Sequence, residues 1–202
     1  MNKLVKKLML VAAMLMLAAG PSFAADAIRI GLMCPLTGKW ASEGQDMQQI
    51  VSLLVSEVNK AGGINGKQIE LVVEDDAGDP RTASLAAQKL ASAGVMAVIG
   101  TYGSAVTEAS QNIIDEAEIM QIATGSTSVR LTEKGLPLFF RTCPRDDEQG
   151  RVASKVIAAK GFKKVAILHD NSAYAKGLAD EAKQRILDKK SADIVFFDAL
   201  VP

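Results

Sequence analysis

The sequence has few of the side chains that most often perform catalysis or hold a metal ion. Its 202 residues include one histidine, two cysteines and one tryptophan. Cys34 and Cys143 lie far apart and outside any CxxC motif, which excludes the usual zinc and dithiol redox motifs, and we expect two free, mostly buried thiols. No GxSxG, P-loop or GxGxxG motif occurs either. The sequence therefore predicts no catalytic centre, no metal site and no cofactor.

The histidine and the densest run of acids do not assemble into a site. His169 and Asp170 are neighbours at the end of a predicted strand, but successive side chains of a strand point to opposite faces, so a catalytic pair is not expected. Glu74, Asp75 and Asp76 form a carboxylate run, yet no other acid is placed to complete a coordination shell. We interpret this run as a solvated strand end.

The first 24 residues have the features of a cleaved export signal. Three lysines precede a short apolar run from Leu8 to Ala19, which Gly20 and Pro21 interrupt. The run is too short for a membrane span, which needs about 20 apolar residues. Without this segment the chain carries 20 basic and 23 acidic residues, a net charge of −3. That balance opposes a nucleic-acid-binding surface.

Apolar runs and helical periodicities alternate along residues 25–142. The runs predict strands at Ile28 to Met33, Gln68 to Glu74, Met96 to Ile99 and Ile119 to Ile122. The segments between them predict a helix through Met47 to Val58, one after Asp79-Pro80, and one from Ser104 to about Ala117. This order predicts an α/β fold with a parallel sheet, in which ligands bind at the carboxyl ends of the strands.

A second unit is predicted after the first. Leu138 to Thr142 reads as a strand leaving the first lobe, residues 25–142. The alternation then restarts with a helix from Asp146, a strand at Lys164 to His169, a helix from Ala175 and a strand at Asp193 to Phe197. We expect residues 143–202 to form an incomplete second lobe.

Two loops at the predicted carboxyl edge could hold a charged ligand. Gly100 to Ser104 leads into a helix, whose unpaired N–H groups and dipole favour a carboxylate. Ser104 could bind that ligand or simply cap the helix. Thr124 to Ser128 offers hydroxyl and carbonyl acceptors for an ammonium group, or is an ordinary polar turn.

Two aromatic residues have similarly open interpretations. Trp40 follows the first strand and could wall a pocket or pin its own loop. Tyr174 follows a strand of the second lobe and could close over a ligand or pack at the start of a buried helix.

Longer stretches carry a resemblance to a known family. These are IRIGLMCPLTG, NKAGGINGKQIELVVEDDAGDP, VIGTYGS, RTCPRDDEQG, VAILHDNSAYAKGLA and VFFDALVP. With them, the chain from about Ala25 to Pro202 resembles the periplasmic branched-chain amino acid-binding proteins of bacterial ABC transporters, the leucine/isoleucine/valine type. The resemblance implies the type I fold, two Rossmann-like parallel-sheet lobes, of which the chain covers most of the first lobe and part of the second.

The resemblance also implies roles and partners. Ser104, in the loop that includes Tyr102, matches a serine that binds the ligand carboxylate. The Gly125 carbonyl and the Thr127 hydroxyl match positions that hold the ammonium group. Tyr174 matches a cleft tyrosine, and Trp40 lies in the loop that lines the side-chain pocket. The implied protein is not an enzyme: it binds leucine, isoleucine or valine in the periplasm and delivers it to an inner-membrane ABC permease.

Three features depart from the family. Glu43 stands where some members carry an aromatic residue, and Gly78 and Gly103 replace a cysteine pair found in some members. Family members are also roughly twice as long, so we expect a truncated chain with exposed apolar edges and a half-built cleft.

Other interpretations of the function remain: a non-functional or self-associating fragment, an exported α/β enzyme, or the sensor domain of a receptor. The ligand also stays open, since a non-amino-acid carboxylate such as an aromatic acid is an alternative.

Overall fold

A computed structural model describes residues 27–200, and the predicted export signal lies outside this range. Its strands are β1 (Ile28–Cys34), β2 (Ile69–Asp75), β3 (Ala97–Ile99), β4 (Met120–Ala123), β5 (Phe139–Arg141), β6 (Lys164–His169) and β7 (Asp193–Ala199). Its helices are α1 (Ala41–Lys60), α2 (Pro80–Ser92), α3 (Ser104–Glu116), α4 (Arg130–Glu133), α5 (Asp146–Ala159) and α6 (Ala173–Asp188). Every predicted strand and helix is present. The short helix α4 was not predicted.

The first five strands form one parallel sheet in the order β2-β1-β3-β4-β5. Ile30 of β1 pairs with Leu71 of β2 on one side and with Ala97 of β3 on the other. The chain therefore reverses its direction of winding between β1 and β3, which is where ligands bind in open α/β sheets. Because β5 pairs with β4, the strand predicted to leave the first unit is the edge strand of its sheet.

Helices α2 and α3 pack together and bury the main core against one face of the sheet. Met33, Leu90 and Val98 have no exposed surface in this layer, and Ile114 has 1%. The helices approach closely because β1 carries Gly31 there: a Cβ at this position would lie 3.1 Å from the Leu90 side chain. Such close packing fixes the position, relative to the helices, of the loops that follow β1 and β3.

The helix ends follow the signals in the sequence. Asp79 accepts a hydrogen bond from the Thr82 amide at 2.8 Å, and Pro80 is the first residue of α2. This is the cap-plus-proline start that the sequence predicts. At the end of α1, Gly63 adopts a φ of +77° and its N–H donates to the Val58 carbonyl. A glycine is favoured there because left-handed backbone is strained for other residues.

The last two strands, β6 and β7, form a separate two-stranded parallel sheet that contacts α6, and α6 packs in turn against α5. Leu168, Val195 and Phe196 of this sheet are each about half exposed or more, and so are Ile50 and Leu53 of α1. The exposed apolar edges predicted from the sequence are thus present in the described part of the chain. Across residues 27–200, none of the helices combines the length and the apolar character that a membrane crossing requires.

Candidate functional site

A cavity of about 180 Å³ opens at the carboxyl edge of the first sheet. It is lined by Trp40, Tyr102, Gly103, Ser104, Gly125, Thr127 and Tyr174. The loops after β1, β3 and β4 and the start of α6 supply these residues. All six residues singled out from the sequence therefore lie on one cavity wall, although they span three loops and a helix.

Buried hydroxyl groups join the loops after β3 and β4. Thr101 and Thr107 contact each other through their hydroxyl oxygens, and Thr107 Oγ1 donates to Ser126 Oγ at 2.5 Å. All three residues have no exposed surface. Because buried polar groups need partners, this cluster holds the two loops at a fixed separation. The separation sets the width of the cavity between Ser104 and Thr127.

Ser104 is the first residue of α3, and Gly103 is the residue before the helix, so the capping role considered for Ser104 is wrong. The Ser104 Oγ atom instead accepts a hydrogen bond from the Ser128 amide at 3.2 Å. A hydroxyl group can donate one hydrogen bond in addition to those that its lone pairs accept. The proton of the Ser104 hydroxyl is therefore available to a ligand. The helix start adds a positive dipole end that favours a carboxylate at this position.

Trp40 is held in place by its neighbours and also lines the cavity. Its ring meets Tyr102 edge to face, with centroids 5.7 Å apart, and the Lys39 ammonium lies 4.3 Å above it. A Cβ at Gly78 or Gly103 would lie 2.8 or 2.7 Å from the ring, so both positions need glycine for the ring to lie where it does. The two readings of Trp40 considered from the sequence are therefore compatible.

Tyr174 lies at the start of α6, where Ser172 caps the helix by accepting a hydrogen bond from the Ala175 amide at 3.1 Å. The tyrosine is 43% exposed, so the buried packing role considered for it is wrong. Partial burial raises the pKa of its hydroxyl, and the charge of Asp146 adds to that rise. Tyr174 is the wall residue that comes from the second sheet's helices.

Arg141 is a residue that sequence reasoning missed. Its Nη1 atom donates to the carbonyls of Ser126 and Ser128 at 3.0 and 2.9 Å, and its Nη2 atom donates to Thr132 Oγ1 at 2.7 Å. Two of these bonds hold the loop after β4, and the third ties Arg141 to α4, which follows that loop. The feature of the sequence that could have identified Arg141 is the position of an arginine inside the apolar run LFFRT. A charged residue in such a run must reach buried acceptors to stay in place.

The carboxylate run that ends β2 and continues to Asp76 is not a solvated strand end, and that interpretation is wrong. Asp76 has no exposed surface. Asp75 accepts hydrogen bonds from the amides of Leu36 and Ala77, each at 2.8 Å, and from the Thr37 hydroxyl at 2.6 Å. Burial raises the pKa of Asp75, but these bonds outweigh it and leave the pKa below its usual value. Asp75 thus fastens the loop before Trp40 to the loop after β2.

The remaining chemically notable residues have structural surroundings. His169 accepts a hydrogen bond from the Asn171 amide at 3.1 Å through Nδ1, and its ring packs on Phe197. Cys34 is buried and Cys143 partly buried, and both are free thiols, as expected. Burial raises the pKa of the Cys34 thiol to about 12. In the part of the chain that the structure describes, no group of three or more histidine, cysteine or acidic residues could hold a metal ion.

The chain resembles known proteins over most of its length. Residues 27–195 match the family model described as a periplasmic binding protein. The Leu/Ile/Val-binding protein homolog 1 of Brucella abortus is 41% identical over 172 residues, which make up 84% of this chain and 46% of that protein. The chain spans about half the length of the curated relatives it matches.

Solved structures agree with the sequence match. The branched-chain amino acid transporter substrate-binding protein LivJ of Streptococcus pneumoniae, in complex with isoleucine, has a TM-score of 0.78 and 30% identity, over 87% of this chain and 50% of that one. A solute-binding protein of an ABC transporter from Rhodopseudomonas palustris, in complex with 3,4-dihydroxybenzoic acid, has a TM-score of 0.77 and 25% identity, over 87% and 48%. These relatives are binding proteins rather than enzymes, and the predicted fold class is confirmed.

Proposed function

This chain belongs to the periplasmic binding protein family, and from that premise we propose that it binds a branched-chain amino acid for an ABC importer. One observation supports the proposal above the others: a single cavity is lined both by Ser104, at the start of a helix, and by Thr127. The Ser104 hydroxyl and the helix start suit a carboxylate, and the oxygen of the Thr127 hydroxyl suits an ammonium group. A zwitterion satisfies both at once.

The mechanism is recognition without covalent chemistry. We infer that the ligand first binds the loops after β3 and β4, in the lobe formed by residues 25–142. Tyr174, carried by the lobe that begins at residue 143, then closes over it. Trp40 and Tyr102 supply the apolar wall for the ligand side chain. Delivery to an inner-membrane permease from the periplasm follows from the family and is part of the proposal.

Calorimetric titration with leucine, isoleucine and valine tests the function, and Ser104→Ala tests the site. The protein is expressed from its natural gene. A lost hydrogen bond to a charged group costs about 1.5–3 kcal/mol, so Ser104→Ala should weaken binding roughly 10- to 150-fold. Ser110→Ala is the matched control, because Ser110 is buried on the same helix but bonds the Val106 carbonyl at 3.0 Å. Equal affinities for the wild type and both variants would remove Ser104 from the site.

A second ligand class has one observation in its favour. The cavity wall includes two aromatic rings in edge-to-face contact, Trp40 and Tyr102. Such a wall also suits an aromatic carboxylate like the one bound by the Rhodopseudomonas palustris protein. Titration with 3,4-dihydroxybenzoate alongside leucine distinguishes the two classes, since the proposal expects the amino acid to bind more tightly.

A further inference from the structure

Exposed lysines are concentrated at one end of the second sheet. Helix α5 ends at Ala159 and β6 begins at Lys164, while α6 ends at Asp188 and β7 begins at Asp193. The two short turns between these elements are neighbours, because Lys164 pairs with Asp193 and the Asp193 amide donates to the Lys163 carbonyl at 2.8 Å. The lysine patch consists of the exposed lysines in and beside these turns, which are Lys160, Lys163, Lys164, Lys189 and Lys190.

The ammonium groups of the lysine patch are not neutralised by the part of the chain that the structure describes. The lysines that form ion pairs or side-chain hydrogen bonds there are Lys89, Lys134 and Lys176. The acids next to the patch in sequence are Asp188 and Asp193, and neither forms an ion pair among residues 27–200. Five positive charges thus face two negative ones, on a chain that is acidic overall after its first 24 residues.

Helix ends explain only part of this arrangement. Lys160 and Lys189 directly follow α5 and α6, where a positive charge interacts favourably with the helix dipole. That effect is confined to the last turn, so it does not account for Lys163 and Lys164, which lie beyond the end of α5. Lys190 has a φ of +48°, a left-handed backbone conformation that glycine adopts with less strain. A lysine is therefore present at a position where the local backbone favours another residue.

Apolar side chains are exposed within the same patch. Phe162, in the turn after α5, is 55% exposed, and Leu187, in the last turn of α6, is 47% exposed. Lys163, Leu187 and Lys190 line one cavity of about 420 Å³. Basic groups attract anionic headgroups to a membrane surface, and apolar side chains beside them enter the headgroup layer. The patch offers both kinds of group together.

The type of basic residue indicates the type of partner. The basic residues of the patch are all lysines. Arginine recognises a phosphate in a fixed geometry through two parallel N–H bonds, whereas lysine acts as a point charge. Point charges suit a surface of many mobile anionic groups. A nucleic acid partner is opposed by the acidic balance of the chain.

We propose that the lysine patch binds reversibly to membrane surfaces that contain anionic phospholipids. The patch lies at the amino ends of β6 and β7, whereas Tyr174 of the cavity wall follows the carboxyl end of β6. The cavity therefore remains accessible while the patch contacts a membrane. This membrane contact goes beyond the proposed function and does not depend on the identity of the ligand.

Sedimentation with phospholipid vesicles tests the membrane contact. The protein, expressed from its natural gene, is mixed with vesicles of phosphatidylcholine alone or with vesicles that also contain phosphatidylglycerol, which is anionic. We expect binding to the anionic vesicles only, and loss of that binding as added salt screens the charges. Each lysine near an anionic surface contributes roughly fivefold, so the patch variant Lys163→Gln/Lys189→Gln/Lys190→Gln should bind about 100-fold more weakly.

A matched variant removes the same charge elsewhere. It replaces three exposed lysines around the first sheet by glutamine, at Lys60, Lys67 and Lys134. This control should bind anionic vesicles nearly as well as the wild type. The patch variant should keep the wild-type unfolding temperature and leucine affinity, because its substitutions are exposed and distant from the cavity. A patch variant that unfolds at a lower temperature is replaced by Lys163→Gln and Lys190→Gln singly, each with an expected loss of roughly fivefold.

The remaining outcomes are distinct. Equal vesicle binding by the wild type and the patch variants overturns the proposal, and so does binding to phosphatidylcholine alone that salt does not weaken. Displacement of the protein from vesicles by glycerophosphoglycerol, the headgroup without its acyl chains, identifies a site for a small anion and also overturns it. A wild type that binds anionic vesicles but no amino acid contradicts the proposed function and leaves the membrane contact intact.

Discussion

Asp76→Asn should alter the pH dependence of stability in a defined window. Asp76 is fully buried; one of its oxygens accepts a hydrogen bond from the Gly78 amide at 2.8 Å, and the other has no partner. Burial raises its pKa to about 6, the Gly78 bond opposes this, and the charge of Asp75 adds to it. The folded-state pKa is above the unfolded value. Protonation therefore contributes stability that is full below about pH 4 and is lost as the pH rises through about 6.

The size of the effect follows from the same values. The difference between an unfolded pKa near 3.9 and a folded one of about 6 corresponds to about 3 kcal/mol. Asparagine keeps the acceptor for Gly78 and removes the titration. The free energy of unfolding of the variant, relative to that of the wild type, should therefore rise by up to about 3 kcal/mol between pH 4 and pH 7.5.

Urea unfolding at several pH values, followed by the fluorescence of Trp40, measures this difference. The single tryptophan makes the signal specific to the loop after β1. Asp79→Asn is a useful companion, because the Thr82 amide and hydroxyl lower the pKa of Asp79, so its contribution is lost as the pH falls rather than as it rises. A wild-type-to-variant difference that stays constant from pH 4 to pH 7.5 would refute the reasoning for Asp76.

Two further predictions concern the residues that shape the cavity. Gly103→Ala should lower the free energy of unfolding by about 1–3 kcal/mol and shift the emission of Trp40, because the new Cβ would lie 2.7 Å from that ring; an unchanged emission spectrum and urea midpoint would contradict this. Arg141→Met should destabilise the protein by about 2–4 kcal/mol and weaken leucine binding, because the carbonyls of Ser126 and Ser128 lose the Arg141 donor and Thr132 of α4 keeps only Arg145. Arg151→Met, at an exposed i,i+3 ion pair with Glu148, should change thermal stability and binding little.

Local patterns were enough to predict the elements and the edge of the sheet where the cavity lies. Apolar runs gave the strands, and their alternation with helices implied parallel strands, whose carboxyl ends share one edge. Trp40, Ser104 and Thr127 could be grouped on that basis although they are far apart in sequence. The helix α4 was missed because four residues cannot show a periodicity.

The buried charges could not be predicted in the same way. Asp76 and Asp146 each look like an ordinary surface residue in their local context, and Arg141 differs from one only by standing inside the apolar run LFFRT. Their burial depends on segments distant in sequence: Asp146 meets α6 at Gly177, and Arg141 reaches carbonyls of the loop after β4. The sequence also suggested a capping role for Ser104, but Gly103 occupies that position and frees the hydroxyl for other partners.

The central place of β1 in the first sheet has a consequence for the rate of folding. Ile30 pairs with Leu71 of β2 and with Ala97 of β3, so the two partners of the first strand lie 41 and 67 residues later in the chain. Each pairing requires closure of a long loop, which costs chain entropy before the strand contacts can stabilise the fold. A high contact order of this kind slows folding. We therefore expect refolding in milliseconds to seconds rather than microseconds, with β1 unpaired until β2 and β3 arrive. The strand that precedes the loop of Trp40 is thus among the last to become fixed on both sides.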